Sequence, residues 1–557
     1  MRRAGKIPAV AILCTAFRQG RIALMLLFCL CGFAQQAVPT ANRFRISGTV
    51  VNSVSGQALA QVRVFLSLPQ QIEDREVVMT GPDGHFLFDN VPAGKYALGA
   101  AKPGFMMQAF EAHEMYSSAI VVGPGVSAEN LLFRIHPAAV ISGQVVDEQN
   151  EPVREAQVLL LKNRLQGGKR SVRQADQTTT DDRGQYRFGS LAPGTYFVVL
   201  SARPWYAPFT AFANSSDGGA GQTAEPNVPR DVTYPITYYP GATDLSQATP
   251  LTLAAGDHVS ADFSVTPVRS LHIHVRTPKP NATEGCSVVA TPEASQGVDL
   301  RLPIPLQTTM NKPGEVDVSG LPPGQYRLQI VFPGREATTY TQDVDLQSDI
   351  DIDPGAGDQS RIISGSVRTQ GESRLPPGAG VMLRSNSGQI AMARITPNGQ
   401  FQFDAHAEIP PGSYEIALNT DNMFVVSVSG TGASVSGRTI QIQGSTLIRL
   451  SIVVAQGFAR IEGMAVSGDD KPIAGAMILL MPADAANNEI LIRRDQSDSD
   501  GTFTLPSVVP GHYTLLAIRN GWDLEWMNPA VLKPYLQNAE SIDVQRSGKY
   551  NLKVLVQ

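Results

Sequence analysis

A pattern of fourteen residues recurs along this chain and leaves few folds open to it. "DGHFLFDNVPAGKY" (83–96) is matched by "RGQYRFGSLAPGTY" (183–196), "PGEVDVSGLPPGQY" (313–326) and "DGTFTLPSVVPGHY" (500–513). A fifth copy, "NGQFQFDAHAEIPPGSY" (398–414), is three residues longer. In the first four the two glycines stand ten apart: Gly84 and Gly94, Gly184 and Gly194, Gly314 and Gly324, Gly501 and Gly511. Internal repetition at this spacing marks a tandem array of one supersecondary unit.

Each copy follows a second element: "RISGTVV" (45–51), "VISGQVV" (140–146), "IISGSVR" (362–368) and "RIEGMAV" (460–466), with only the degenerate "LHIHVR" (271–276) before the third. Three repeats continue into an alternating run, "QALAQVRVFL" (57–66), "EPVREAQVLLL" (151–161) and "KPIAGAMILLM" (471–481). Most close with two strands around a glycine, as in "AIVVGPGVSAENLLFRI" (119–135) and "SIDVQRSGKYNLKVLV" (541–556).

The alternation defines the local structure. Phe86 and Phe88, Tyr186 and Phe188, Phe401 and Phe403, and Phe503 and Leu505 are each two apart. A period of two places both members on one strand face. The preceding Asp-Gly or Asn-Gly suits a tight hairpin turn, because glycine accepts positive φ. The proline near the end of the motif fixes φ and removes a ladder donor, and the glycine after it completes a reversal. Tyr96, Tyr196, Tyr326, Tyr414 and Tyr513 then begin the next strand, each ring in the core and each hydroxyl near the turn. A valine at Gly94 is expected to destabilise the first unit. No stretch of comparable length has helical periodicity, and the abundant Gly (50) and Pro (39) fit many short strands joined by turns. The expected fold is all-β: about five Ig-like or prealbumin-like antiparallel β-sandwiches spanning 44–136, 137–268, 269–357, 358–456 and 457–557, numbered here as repeats 1 to 5.

The order I-S-G-x-V, P-[VI]-x-x-A-x-[VI] and D-G-x-[FY]-x-[FL]-x-x-[LV]-x-P-G-x-Y resembles the carboxypeptidase regulatory-like domain, strongly in repeats 1, 2 and 5, fairly in repeat 4 and weakly in repeat 3. The resemblance implies a transthyretin-like (prealbumin-like) seven-stranded sandwich of the carbohydrate-binding-like, starch-binding-like group. It implies no peptidase activity, since the name records the module's place beside a peptidase. "TYYPGATDLSQATPLTLAAGDHVSADFSV" (237–265) and "WMNPAVLKPYLQNAESIDVQRSGKY" (526–550) are similar to stretches of multi-repeat exported proteins of soil bacteria, especially acidobacteria.

Residues 1–34 carry Arg2, Arg3, Lys6, Arg18 and Arg21, no acid, and the apolar run "IALMLLFCLCGFA" (22–34) ending on small Gly32 and Ala34. This reads as a secretory signal peptide followed by a linker at 35–43. A spanning helix needs about 20 apolar residues, and Arg21 blocks backward extension; an uncleaved anchor is the competing reading. Bulky Phe28 and Leu30 disfavour a lipoprotein signal, and "MRRAGK" makes a poor twin-arginine signal. No other stretch is apolar enough to span a membrane. Without the leader, 40 basic residues face 50 acidic ones, a net charge of −10 with no basic cluster, which argues against a nucleic-acid partner. Three of the four cysteines lie in the leader, so the exported chain keeps only Cys286 and no internal disulfide.

Catalytic signatures are missing. None of the eight histidines (85, 113, 136, 258, 272, 274, 406 and 512) has a glutamate three residues on, and His113-Glu114 lacks the second histidine of a zinc motif. His272 and His274 share a strand face, best read as polar residues facing solvent. There is no G-x-S-x-G elbow and no phosphate loop. "DQSDSDG" (495–501) faintly resembles a calcium loop but lacks its closing glutamate, and turn chemistry accounts for the acids. The expectation is a non-enzyme without metal or cofactor.

Departures from the repeat are the candidate ligand contacts. Repeat 2 carries an insertion at about 201–250 with Trp205, Tyr206, Phe209, Phe212, Tyr234, Tyr238 and Tyr239 around the polar loop 214–229. Repeat 5 carries Trp522 and Trp526, four apart in the one short segment with helical potential. Aromatics of this kind stack on sugars or anchor a protein, though local packing explains them too, especially the repeat 5 pair. Two functions fit: a non-catalytic scaffolding or adhesion protein of the periplasm or cell surface whose partners are other proteins, or a polysaccharide-binding protein, a reading that rests on fold analogy.

Overall fold

The computed structural model describes residues 43–557 apart from 70–72, 74, 208–230, 277–285, 293–303, 305, 313, 333–337, 355–361, 372–373, 386–389, 405–408, 421 and 444–446. The expected leader, with Phe209, Phe212 and the 214–229 loop, lies outside the described residues.

Strands dominate, grouped as two sheets per repeat around a separate apolar core. In repeat 1 one sheet sets the opening strand Arg43–Asn52 between His85–Pro92 and Ala128–Ile135. The other holds Glu76–Met79, Arg63–Ser67 and Gly94–Ala101, flanked by Gln108–Ala109 and Ile120–Val122. Phe86 and Phe88 are fully buried between them, with Ile46, Val64, Leu98 and Phe133. Each such ring contributes about 1.5–3 kcal/mol by leaving water. The equivalent pairs Tyr186 and Phe188, Phe401 and Phe403, and Phe503 and Leu505 are buried in their own repeats.

The sheets are mostly antiparallel, with one regular exception. In all five repeats the closing strand runs parallel to the opening strand: Val50 lies opposite Phe133, Ile141 opposite Val259, Val275 opposite Ile352, Ile363 opposite Ile448, and Ile461 opposite Tyr550. The two strands around the late glycine therefore part company. In repeat 1, Ile120–Val122 joins Gly94–Ala101, while Ala128–Ile135 crosses to the opening strand. Parallel neighbours require such a crossover.

The Asp-Gly turn also differs from the expected hairpin. Only in repeat 3, where the dipeptide is Pro313-Gly314, are the strands on either side paired neighbours, Gln307–Lys312 and Glu315–Leu321. In the other four the strand before the turn belongs to one sheet and the motif strand to the other. The reason is a backbone bond: the motif glycine carbonyl accepts from the opening strand, Val50 N–H to Gly84 (2.9 Å), Val145 to Gly184 (2.8 Å), Val367 to Gly399 (2.7 Å) and Ala465 to Gly501 (2.8 Å). Gly84 has φ +73°, and a Cβ there would sit 2.8 Å from the Val50 carbonyl oxygen. Gly94, by contrast, lies outside the left-handed range, and a Cβ would meet Tyr96 at an ordinary 3.4 Å. The strain-bearing glycine is the first of the motif rather than the second.

The glycine of I-S-G-x-V answers to sterics alone. A Cβ on Gly143, Gly365 or Gly463 would fall 2.0–2.3 Å from a carbonyl oxygen of the closing strand and within 3 Å of Tyr186, Phe401 or Phe503. Those aromatics stand directly across the ladder from the three glycines. In repeat 3 the same register pairs Val275 with Val316, so a medium side chain on each strand replaces glycine against aromatic.

The motif tyrosine behaves alike in all five copies. Its ring is buried, and its hydroxyl donates to the carbonyl four residues earlier: Tyr96 to Pro92 (3.1 Å), Tyr196 to Ala192 (2.7 Å), Tyr326 to Pro322 (2.8 Å), Tyr414 to Pro410 (2.8 Å) and Tyr513 to Val509 (2.8 Å). The arch that carries the chain between sheets is closed by that bond, worth about 1 kcal/mol.

Gly84→Ala should therefore lower the thermal stability of the full chain by more than about 1 kcal/mol. Gly56→Ala, at a similar φ of +70° but with nothing within 4 Å of its Cβ, should cost less. Equal losses in parallel melting experiments would show that the approach to Val50 is immaterial.

Candidate functional site

Two of the strands that depart from strict alternation recruit the candidate aromatics. Gln157–Gln166 and Met477–Pro482 carry unbroken apolar runs because both faces of their sheets are covered. Val158 and Leu160 face the repeat 2 core, while Leu159, Leu161 and Val199 pack outward with Tyr238. Ile478 and Leu480 face the repeat 5 core, while Met477, Leu479, Leu516 and Ile518 pack outward beneath Trp522, Trp526 and Leu532. The segment that lays those tryptophans down is a chain of short turns, 3₁₀ at Gly521–Asp523, α at Pro529–Leu532 capped by the Asn528 side chain, and 3₁₀ at Lys533–Asn538.

The tryptophans form a junction between repeats. Trp522, 5% exposed, stacks on His113 of repeat 1 at 5.2 Å and 9°, lies 5.4 Å from Tyr116, and donates its indole N–H to Gly475 (3.2 Å). Arg494 places its guanidinium over Tyr116 (5.1 Å) and Trp526 (5.2 Å) and grips Glu114 with two bonds of 2.8 and 3.2 Å. A desolvated cation on aromatic faces gains roughly 1–2 kcal/mol. Buried Gln496 is fully engaged by repeat 1: its amide donates to the Glu111 carbonyl (2.7 Å) and Ser118 Oγ (3.0 Å), and its oxygen meets His113 Nδ1 (3.1 Å).

One acid of 495–501 also serves this contact, while Asp495 and Asp500 bond within repeat 5. Asp498 accepts from the Ala119 N–H (3.0 Å) and pairs with Lys95 (2.5 Å). Ser499 Oγ accepts from Val121, and Ser118 Oγ donates to the Ser497 carbonyl. Burial pushes the Asp495 carboxyl up to about 6 against the pull of N–H bonds from Thr504 and Gln496. Among the described residues no group of three or more His, Cys, Asp or Glu is arranged to hold a metal.

Repeat 2 reaches the same junction. The hairpin between Gln157–Gln166 and Lys169–Thr179 presents Gly168 (φ +75°) to the Trp526 ring, so closely that a Cβ would lie 2.4 Å from it. The Gly168 carbonyl accepts from Met527 (3.2 Å), Lys169 pairs with Glu489, and Arg170 with Glu525 (2.7 Å). Repeat 4 adds Thr439 to the Asn487 carbonyl (3.0 Å) and Arg438 to Asn488 (3.4 Å). Repeat 5 thus touches repeats 1, 2 and 4.

Of the six sequence candidates, Trp205 alone is open, 81% exposed and edge-on to Tyr206 at 5.7 Å and 87°. Tyr206 is half-buried and bonds Glu148 (2.5 Å), which also accepts from Tyr234 (3.2 Å). Burial and that carboxylate push the Tyr206 phenol up to about 12. Tyr238 is buried, its phenol raised to about 12 by burial, and Tyr239 packs edge-on to Phe263 at 6.0 Å. Sequence reasoning overlooked Arg494, Glu114, Gln496 and Gly168. The unbroken apolar runs, which demand a cover for the second sheet face, were the signal for the Trp522 segment.

The remaining singled-out residues have structural partners. Cys286 is buried, which raises its thiol. His272 faces carboxylates rather than open solvent: Nδ1 meets Asp317 (3.0 Å) and Nε2 meets Asp231 (2.6 Å), while His274 also meets Asp317 (3.0 Å). Burial alone would lower the His272 imidazole, but those hydrogen bonds outweigh it and raise it. Asp231 lies within the repeat 2 insertion, so this cluster ties repeats 2 and 3.

Trp522→Ala should cost about 3–5 kcal/mol, as truncating a buried tryptophan does. It should also uncouple repeats 1 and 5, so that one calorimetric transition becomes two. An unsplit transition would mean the stacking on His113 does not couple them.

Residues 45–127 and 140–266 match the family model of the carboxypeptidase regulatory-like domain. Among solved structures, a Streptococcal ancillary pilin aligns at 14% identity over 52% of this chain and 99% of its own, with a TM-score of 0.19. The Bacillus anthracis TIE protein aligns at 9% over 94% and 76% (TM-score 0.17), and the major pilin subunit of Bacillus cereus at 9% over 74% and 100% (TM-score 0.15). Superpositions this loose say nothing about function. A comparison with curated proteins finds no match.

Proposed function

We propose, starting from the match of residues 45–127 and 140–266 to the carboxypeptidase regulatory-like domain, that the protein is a non-catalytic exported scaffold at the cell surface or in the periplasm. Its five repeats, 44–136, 137–268, 269–357, 358–456 and 457–557, hold one another in place and present a surface to other proteins. The observation that carries this reading is the junction at repeat 5, where buried Trp522 and Trp526 pack against His113 and Gly168 of repeats 1 and 2 and buried Gln496 is hydrogen-bonded by repeat 1. Independent modules on flexible linkers have no use for side chains buried in one another; a fixed spacer does. Sandwiches tied by parallel closing strands and arch tyrosines supply stiffness without disulfides.

A second reading is favoured by Trp205, whose exposed ring beside Tyr206 offers a stacking face for a sugar. Affinity-gel electrophoresis against a panel of polysaccharides separates the two. Retardation abolished by Trp205→Ala supports glycan binding; no retardation by any glycan supports the scaffold. Export is checked by fractionation and N-terminal sequencing of the native protein. A chain lacking about residues 1–34 outside the cytoplasm is expected, and an intact cytoplasmic chain would refute export.

A further inference from the structure

Where repeats 4 and 5 meet there is a polar cavity of about 50 Å³, lined in part by Arg384, Ser413, Glu415, Thr439, Asn487 and Glu489. A water occupies roughly 10–15 Å³ on this measure, so there is room for a few waters or one small head group. Glu415 is 8% exposed. Its Oε2 accepts the Ile490 N–H of repeat 5 (3.0 Å), while its Oε1 is buried with no partner. An unsatisfied buried carboxylate oxygen is costly, and it persists where something else completes it.

The neighbours define what that something is. Thr439 has given its proton to the Asn487 carbonyl (3.0 Å), and the Asn487 amide donates to Asp484 (2.9 and 3.2 Å), so both residues have acceptors left to offer. The Arg438 guanidinium is directed at the Val425 carbonyl (2.8 Å) and Asn488 (3.4 Å). Arg384 acts on Glu415 as a nearby charge without bonding Oε1. Glu489 adds a second carboxylate, balanced from outside by Lys169. Thr439, Asn487 and Glu489 set acceptors beside the orphan carboxylate oxygen, with the Arg384 guanidinium as the cation of the lining, and this excess of acceptors matches a group with several donors and a positive charge.

We propose that this cavity binds a primary ammonium group, seated on Glu415 Oε1 at the joint between repeats 4 and 5. Such a group comes either from a free small amine or from a lysine side chain of a partner. Burial, opposed by the Ile490 N–H, Arg384 and Arg438 and reinforced by Glu489, lifts the Glu415 carboxyl to about 7. The proton and the ammonium therefore compete for one oxygen. Occupancy is greatest above pH 7, and affinity falls about tenfold per pH unit below it.

The test uses the full chain at pH 8, following its unfolding midpoint as methylammonium chloride is added, with tetramethylammonium chloride and sodium chloride at matched ionic strength. Methylammonium should raise the midpoint and the other two salts should not, because neither offers an N–H donor. At pH 6 the rise should shrink about tenfold in apparent affinity. Glu415→Gln, which keeps the shape and can still accept from Ile490, should fold and lose the response. A terminally blocked lysine peptide that competes with methylammonium points to a protein partner; one that does not compete points to a free amine. An equal response to tetramethylammonium, an undiminished response in Glu415→Gln, or no response to methylammonium at pH 8 overturns the proposal.

Discussion

In four repeats a backbone amide of the opening strand, that of Val50, Val145, Val367 or Ala465, donates to the carbonyl of the first motif glycine. The rest of each sandwich depends on this contact. It pins the turn against the opening strand, which places the motif strand in that strand's sheet and leaves the preceding strand in the other. Two buried side chains then face the core from one sheet, and the arch that follows, bonded by the tyrosine hydroxyl, returns the chain to the second. The glycine serves twice, by its positive φ and by having no Cβ where the partner carbonyl comes within 3 Å.

The repeats vary in a way that exposes a packing rule. Where the motif carries an aromatic at its first buried position, the residue opposite is glycine, as in Gly143 and Tyr186, Gly365 and Phe401, and Gly463 and Phe503. Repeat 3 has Val275 facing Val316. Volume is conserved across the pair while the distribution changes, as close packing requires. The weak third repeat is thus a repacked copy of the same plan, and its "LHIHVR" strand is not a loss of the fold.

Repeat 5 differs from its siblings by what lies on its outer sheet face. The segment 521–538 covers that face with two tryptophans, and these in turn require cover from Tyr116, His113 and Gly168. One unbroken apolar run therefore leads to contacts with two other repeats, since each exposed apolar layer would be costly in water. The polar cavity on the side toward repeat 4 is the opposite case, where polar rather than apolar groups line the joint and Glu415 Oε1 is buried without a protein partner.

The period-two alternation, the paired glycines and the recurring tyrosine made the all-β tandem legible from the chain alone, because each is imposed by local backbone geometry and by which face a side chain occupies. The expected hairpin at Asp-Gly was not legible: a glycine's φ is encoded locally, but the sheet to which the next strand belongs depends on a hydrogen bond to a residue more than thirty positions away. Trp522 and Trp526 were visible as candidates, yet their surroundings, Arg494, Gln496 and Gly168, carried no motif. The sequence by itself determined what each repeat is made of, through short-range sterics and the burial of alternating apolar residues. Only the tertiary structure decided the parallel closing strands, the junction at repeat 5 and the unpaired oxygen of Glu415, because contacts between residues far apart in the chain are set by packing and leave no periodic trace.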